Sequence, residues 1–357
     1  VVATRPKPPA AMSAMDGYAL TRQPRLGDTF AIVGEVPAGG AYPAPLTEGQ
    51  AVRIITGAPV PDGGQWVVIQ ENTTRNGDTL TISDTPGAGA KIRPMGGDFM
   101  PGDALLSAGT RLTPLALALA AAANVPTVTA HPKPSILIVM NGDELNWPSD
   151  EAPQAATIAS NGYALAALST RLGATVERVA LVRDDAEALR EGINASNADI
   201  IVTAGGASVG DYDLVRPVLN DLGFTLSFPK VALRPGKPTF FGSNGRTYVL
   251  GLPGNPVSSF VSALGFLTPL IPALSGSTLD QGLPLRSATL GKAAPANGPR
   301  RHLMRAKIRS NGTIDPMPDQ DSSLLNALAE ADVLLLRLPH SPVQEAGEPC
   351  DVIDLPN

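Results

Sequence analysis

Where apolar runs end in this sequence, glycines, carboxylates and cations follow, and those junctions are where chemistry would be done. The run at residues 200–203 empties into Ala204-Gly205-Gly206-Ala207-Ser208-Val209-Gly210-Asp211-Tyr212-Asp213. An uninterrupted apolar run ending in glycines reads as a buried strand feeding a loop where backbone must approach a ligand closely. Asp211 and Asp213 in such a loop suit a divalent cation standing between the protein and an anionic ligand. Taken singly, each is better explained as a turn or cap residue, Asp213 capping a helix through Leu214, Val218, Leu219 and Leu222. No register supplies Gly-x-Gly-x-x-Gly, and Asp211 and Tyr212 stand where a P-loop needs Lys and Ser or Thr, so neither a dinucleotide nor a P-loop nucleotide is expected.

Three other run ends carry similar groups. Asn141-Gly142-Asp143-Glu144 follows the run at 135–140, Asp184-Asp185 follows 175–181, and Leu252-Pro253-Gly254-Asn255-Pro256-Val257-Ser258-Ser259 follows 247–250. Asn255 as cap and Pro256 at the first helical position leave backbone N–H groups and a positive dipole end free, with Ser258 and Ser259 adding hydroxyls, which makes an anion site. Lys230-Val-Ala-Leu-Arg234-Pro-Gly-Lys237 brings cations toward the same edge; the plainer alternative is a charge-protected edge strand. Upstream, Asp16 sits in Ser13-Ala-Met-Asp-Gly-Tyr-Ala19, Thr56 at the bend of Arg53-Ile-Ile-Thr-Gly-Ala-Pro-Val-Pro61, and Asp98 in the turn Ile92-Arg-Pro-Met-Gly-Gly-Asp98. Alone, each of these is a strand end or a tight turn.

The elements that must position these residues follow from periodicity. Short apolar runs at 30–33, 51–55, 66–69 and 80–82, separated by Gly, Pro, Asn and Asp, predict a small all-β unit. An Ala/Leu helix is expected from Thr113-Pro114. From Pro134 onward strands (135–140, 175–181, 200–203, 230–233, 247–250) alternate with helices (164–172, 186–193, one after Asp213, 256–270). The fold class is α/β and multidomain, with a doubly wound, mostly parallel sheet whose ligands bind outside the carboxyl ends of the strands. Every acidic cluster then falls on one rim. Residues 273–283 read as a linker, and strands at 285–290, 302–308 and 333–338 with a helix at 323–329 predict a small β tail domain.

With 357 residues, 43% of them hydrophobic, the chain is long enough for two or three cores. Its net charge of -6 argues against a general nucleic-acid surface. The single cysteine, Cys350, excludes an intramolecular disulfide framework and a Cys-rich metal site, and agrees with a reducing cytoplasm. No apolar run is expected to reach the roughly 18 to 20 residues that cross a bilayer, the longest candidate being 115–125. The chain opens Val1-Val2-Ala3-Thr4 without an initiator Met, and further residues are expected upstream.

In order, Ser13-Ala-Met-Asp-Gly-Tyr-Ala19, Ile55-Thr-Gly-Ala-Pro-Val-Pro61, Gly142-Asp-Glu-Leu145, Gly205-Gly-Ala-Ser-Val-Gly210, Arg234-Pro-Gly-Lys-Pro238 and Leu252-Pro-Gly-Asn-Pro-Val-Ser-Ser259 resemble the motifs of the molybdenum-insertase family, the molybdopterin molybdenumtransferases that include MoeA and the gephyrin E domain. The sequence differs from the family's usual pattern at Gly97, Asn141 and Ala159, and at Gly97 and Ala159 a carboxylate is missing. The resemblance implies a β lid domain at 18–92, a linker domain at 1–17 with 93–132, a molybdopterin-binding α/β domain at 133–273 and a C-terminal β-barrel domain at 283–357. It implies insertion of molybdate into adenylylated molybdopterin with release of AMP, Mg²⁺ as cofactor, and a cytoplasmic homodimer. Molybdopterin adenylyltransferase and molybdoenzyme chaperones are the implied partners, with no nucleic acid and no membrane. Carried over residue by residue, catalysis falls to Asp16, Thr56, Asp98, Glu144, Asp184, Asp213, Lys230 and Arg234, with Glu144, Asp184 and Asp213 holding the metal. Ligand binding falls to Gly205, Gly206, Ser208, Gly210, Lys237, Pro253, Gly254, Asn255, Ser258, Ser259, Arg305 and Ser322, the last two serving the partner subunit's rim. A non-catalytic molybdopterin-binding or scaffold protein of the same fold is the alternative.

Overall fold

The computed structural model describes residues 1–205, 214–277 and 282–356. The chain forms two compact units, Val1–Ala130 and His131–Asn357. The first holds β1 (Met12–Ser13), β2 (Gly17–Leu20), β3 (Thr29–Val36), β4 (Gln50–Ile54), β5 (Trp66–Ile69), β6 (Thr73–Asn76), β7 (Thr79–Ile82), β8 (Ile92–Arg93) and helix α1 (Pro114–Ala122). Six of these strands form one sheet in the order β5-β2-β4-β3-β7-β6, which is the predicted all-β unit. Its two faces carry separate small cores, Tyr18, Leu20, Phe30 and Leu80 on one and Ala19, Val36, Val52 and Val67 on the other. The turn expected at Asp16-Gly17 is shorter than expected: Gly17 already pairs with Ile54 on one side and Ile69 on the other, and β2 is buried throughout. Alternating side chains that fill both faces make a strand of what reads locally as a turn. Helix α1 starts as predicted, with Pro114 in its first turn and the Thr113 hydroxyl accepting from the Ala116 N–H at 3.2 Å.

The second unit opens with β9 (Ser135–Asn141), β10 (Leu145–Asn146), β11 (Thr157–Ile158), α2 (Ser160–Leu172), β12 (Thr175–Val182), α3 (Ala186–Asn194) and β13 (Ile200–Ala204). It continues with α4 (Val215–Asp221), β14 (Thr225–Phe228), β15 (Leu233–Arg234), β16 (Phe240–Ser243), β17 (Tyr248–Leu252) and α5 (Pro256–Leu274). Strands β12, β9, β13 and β17 are parallel neighbours, and β16 and β14 extend the sheet antiparallel. Helices α2 and α5 cover one face, where Leu165, Leu168, Val261 and Leu267 pack on Ile136, Ile138 and Val202. Helices α3 and α4 cover the other through Leu189, Ile193, Val218 and Leu219. Burial on both faces explains why β9 and β13 read as continuous apolar runs.

Two expectations are corrected here. The strand predicted at 230–233 is not in this sheet: β15 pairs parallel with a strand of the C-terminal domain, Leu233 with Arg301 and Arg234 with His302. The sheet takes β14 and β16 instead; Phe240 is buried in the core and Phe228 stacks on Phe241. Among the described residues one helix is long and apolar enough to cross a membrane by length and composition, α5 with 19 residues, rather than the expected longest candidate at 115–125. Half of its length is buried in the unit, as befits a core helix. The cap expected at Asp213 lies outside the described residues; α4 is entered from Leu214, which makes no side-chain cap bond.

The C-terminal part contains β18 (Leu285–Thr289), β19 (Arg301–Ile308), β20 (Ile314–Pro316), α6 (Leu325–Ala329), β21 (Val333–Arg337) and β22 (Pro349–Asp354). Its order is β15-β19-β21-β22-β18, with β20 on β19, and a single bridge from Leu290 to Ile314 joins the far edge back to β20. That ring is the predicted barrel. One face of β19 and β21, through Leu303 and Leu334, packs into the core shared with α5; the other, through Met304, Ala306 and Leu335, fills the barrel.

Candidate functional site

In the second unit the strand ends gather as the sheet rule requires. Asn141 closes β9; its side-chain amide donates to Asp184 Oδ1. Asp184 and Asp143 then clasp each other through backbone: the Asp184 N–H donates to Asp143 Oδ1 at 3.1 Å and the Asp143 N–H to Asp184 Oδ2 at 3.4 Å. The Glu144 carboxylate folds back over Gly142, so closely that a Cβ there would lie 2.7 Å from its Oε2. Asp185, by contrast, is a structural cap, accepting from the Ala188 N–H at 2.8 Å. Asp143, Glu144 and Asp184 thus place hard oxygen donors on one stretch of the rim. Among the described residues no three His, Cys, Asp or Glu side chains form a ready metal cage.

Next on the rim is Gly205, at the end of β13. Its φ of +99° favours glycine. A Cβ there would also stand 2.2 Å from the carbonyl oxygen of Asn141, so no other residue fits without moving the strand end. Gly254 approaches the same spot: a Cβ on it would sit 3.8 Å from the Gly205 Cα. Asn161, in the first turn of α2, holds that loop by donating from Nδ2 to the Gly254 carbonyl at 2.8 Å. Asn161 was not singled out as a site residue from sequence; its position in the Ser160-Asn161 pair was the one available signal. Gly206, Ser208, Gly210 and Asp213 lie outside the described residues.

The first turn of α5 differs from expectation. Asn255 is its cap residue, yet its side chain donates to Ser322 Oγ at 3.0 Å, and the Val257 N–H donates to the Ser322 carbonyl at 3.1 Å. Ser322 therefore meets the rim of its own chain, where sequence reasoning placed it on a partner's. Ser258 and Ser259 are buried, not open hydroxyl donors, because they sit on the side of α5 that packs into the core. Pro253 is buried just past the end of β17, and Gly254 after it is exposed.

Arg305 is 1% exposed. Its guanidinium donates to the carbonyls of Leu324, Asp319 and Asp321 at 3.1, 3.1 and 2.9 Å, which fixes the loop that presents Ser322. Burial lowers its pKa, partly offset by the charges of Asp319 and Asp321. The cationic segment runs past α5: Gly236 packs on Ser262, and Lys230, Arg234 and Lys237 are exposed. Arg234 faces a cleft of about 580 Å³ at the barrel mouth, lined also by Asn297, His302, Met317, Asp319 and Asp321. Burial, then the charges of Arg234, Arg300, Arg305 and Arg337, push the His302 pKa down to about 4.

In the first unit Asp16 Oδ1 accepts from the Thr56 N–H at 2.6 Å and from the Thr56 hydroxyl at 2.7 Å. Those two bonds hold the Asp16 carboxyl below its ordinary value, with Arg53 adding a smaller pull. Sequence reasoning named both residues without pairing them. Asp98 makes an exposed ion pair with Lys7 at 3.3 Å.

Comparison with known proteins is consistent along the chain. Residues 1–124 match the MoeA N-terminal region (domain I and II), 137–273 a probable molybdopterin binding domain, and 287–355 the MoeA C-terminal region (domain IV). A molybdopterin molybdenumtransferase of Nostoc sp. is 38% identical over 278 residues, covering 74% of this chain but only 63% of its own length. Molybdopterin molybdenumtransferase 2 of Mycobacterium tuberculosis is 33% identical over 358 residues, covering 96% of this chain and 88% of its own. The crystal structure of a molybdopterin biosynthesis MoeA protein from Pyrococcus horikoshii superposes with a TM-score of 0.73 at 25% identity, covering 99% of this chain and 90% of that one. With sequence likeness, order of regions and fold in agreement, the chain belongs to the MoeA family of molybdopterin molybdenumtransferases.

Proposed function

We propose that this protein is a molybdopterin molybdenumtransferase, inserting molybdate into adenylylated molybdopterin and releasing AMP in molybdenum cofactor biosynthesis. The observation that carries this is the rim itself: Gly205 and Gly254 bring backbone together where Asn141, Asp143, Glu144 and Asp184 supply carboxylate and amide groups. An anionic pyrophosphate substrate at such a rim needs a countercharge. The hard oxygens present suit Mg²⁺, and Glu144 and Asp184, with Asp213, would hold it. Bound there, Mg²⁺ would supply countercharge to the phosphates.

The chain's own residues do the rest. Gly205 and Gly254 let the ligand approach main chain, Asn161 keeps the Gly254 loop in place, and Lys230, Arg234 and Lys237 attract oxyanions. In the first unit, Asp16 is oriented by Thr56 and stays ionised at neutral pH. The lid, linker, α/β and barrel domains, a homodimer in the cytoplasm and the pathway partners belong to the same reading. A scaffold without catalysis is not favoured, since relatives along the full chain are named as transferases. The test is AMP release from adenylylated molybdopterin with molybdate and MgCl₂; none from folded protein would leave only the binding role.

A further inference from the structure

We infer that Asn141 is a positioning residue that fixes the Asp184 carboxylate for cation binding. Residues 136–140 of β9 are all apolar and buried, and Asn141 continues them at 3% exposed. Its Oδ1 is buried with no hydrogen-bond partner. A buried acceptor left unmade costs stability, so an apolar side chain would serve the strand end better. The amide has one contact that explains it: Nδ2 donates to Asp184 Oδ1.

That contact completes a frame. Asp184 Oδ2 receives the Asp143 N–H, and the Asp184 backbone donates back to Asp143, so both carboxylate oxygens are referenced to the end of β9. The Asn141 carbonyl is itself pinned against Gly205 on the neighbouring central strand. Asp184 is solvent-exposed, and without the amide its carboxylate would be oriented only by the Asp143 N–H at 3.4 Å. Groups that orient a ligating carboxylate typically change metal affinity about 10- to 100-fold when removed.

The inference rests on the proposed role of Asp184 in holding Mg²⁺, and the experiment separates the two. Binding of MgCl₂ alone is measured by calorimetry on the full chain for wild type, Asn141→Leu, Asn141→Ser and Asp184→Asn, with melting temperatures taken without metal. Asn141→Ser keeps a small polar side chain that ends one bond short of the amide nitrogen, which covers the case that leucine does not fold. The expected result is Mg²⁺ affinity weakened at least about tenfold in each variant, with the metal-free melting temperature of the Asn141 variants unchanged or raised. Affinity retained in both Asn141 variants while Asp184→Asn loses it overturns the role of Asn141. Affinity unchanged in Asp184→Asn, or no binding to wild type, overturns the metal reading beneath it. A fall in melting temperature that accounts for the affinity loss makes Asn141 structural and also overturns the inference.

Discussion

The side-chain amide of Asn255 donates to the hydroxyl of Ser322 at 3.0 Å, joining the first turn of α5 to a loop of the C-terminal domain of the same chain. The Val257 N–H to the Ser322 carbonyl doubles the link. A helix N-terminus that would otherwise face solvent is thus occupied by a neutral residue of the barrel. Asn255→Ala and Ser322→Ala should therefore be non-additive, with a coupling of about 0.5–1.5 kcal/mol in urea denaturation. Strict additivity would mean that the two domains do not hold this contact in solution.

Arg305 governs the same loop from beneath. Replacing it by lysine keeps the charge but not a fork that reaches the carbonyls of Asp319, Asp321 and Leu324. Arg305→Lys should cost about 2–4 kcal/mol of stability and open the segment at 319–324 to proteolysis. A lysine variant as stable and as resistant as wild type would show that charge alone is what the site needs.

Acid stability should depend on His302. Its folded pKa of about 4 lies below the unfolded value of about 6.5, so the unfolded chain takes up the proton first. The stability held by the neutral ring is full above about pH 6.5 and is lost as pH falls toward about 4. His302→Gln should flatten that decline in denaturation curves recorded across this window. An unaltered slope would place the acid sensitivity elsewhere.

The Asp16 carboxyl behaves in the corresponding acidic manner. Being held below its ordinary value, it contributes stability above about pH 4 that disappears as pH falls through its folded pKa. Thr56→Val removes the hydroxyl and keeps the N–H, so the Asp16 pKa should rise part of the way back, and the loss, still starting at about pH 4, should be smaller and complete at a higher pH. Carbon-detected NMR titration of the carboxyl reads this directly. If the pKa stays where it is, the hydroxyl contributes nothing beyond the backbone bond.

What the sequence determined by itself was everything governed by neighbours along the chain. Apolar runs at 135–140 and 200–203 became β9 and β13 because strands covered on both faces need no alternation. Thr113-Pro114 started α1 because a hydroxyl acceptor and a fixed φ act locally. The ordered motifs likewise single out Asp16, Thr56 and Glu144 as candidate site residues. Tertiary structure alone decided who meets whom. Gly17 became a central strand because Ile54 and Ile69 flank it, and β15 joined the barrel because Arg301 and His302 offered a free edge. Ser322 reached Asn255 across 67 residues, Asn161 reached Gly254 across 93, and Arg305 turned inward to three carbonyls. Such pairings are fixed by packing and by the need to satisfy buried polar groups, and neither constraint leaves a periodic trace in the sequence.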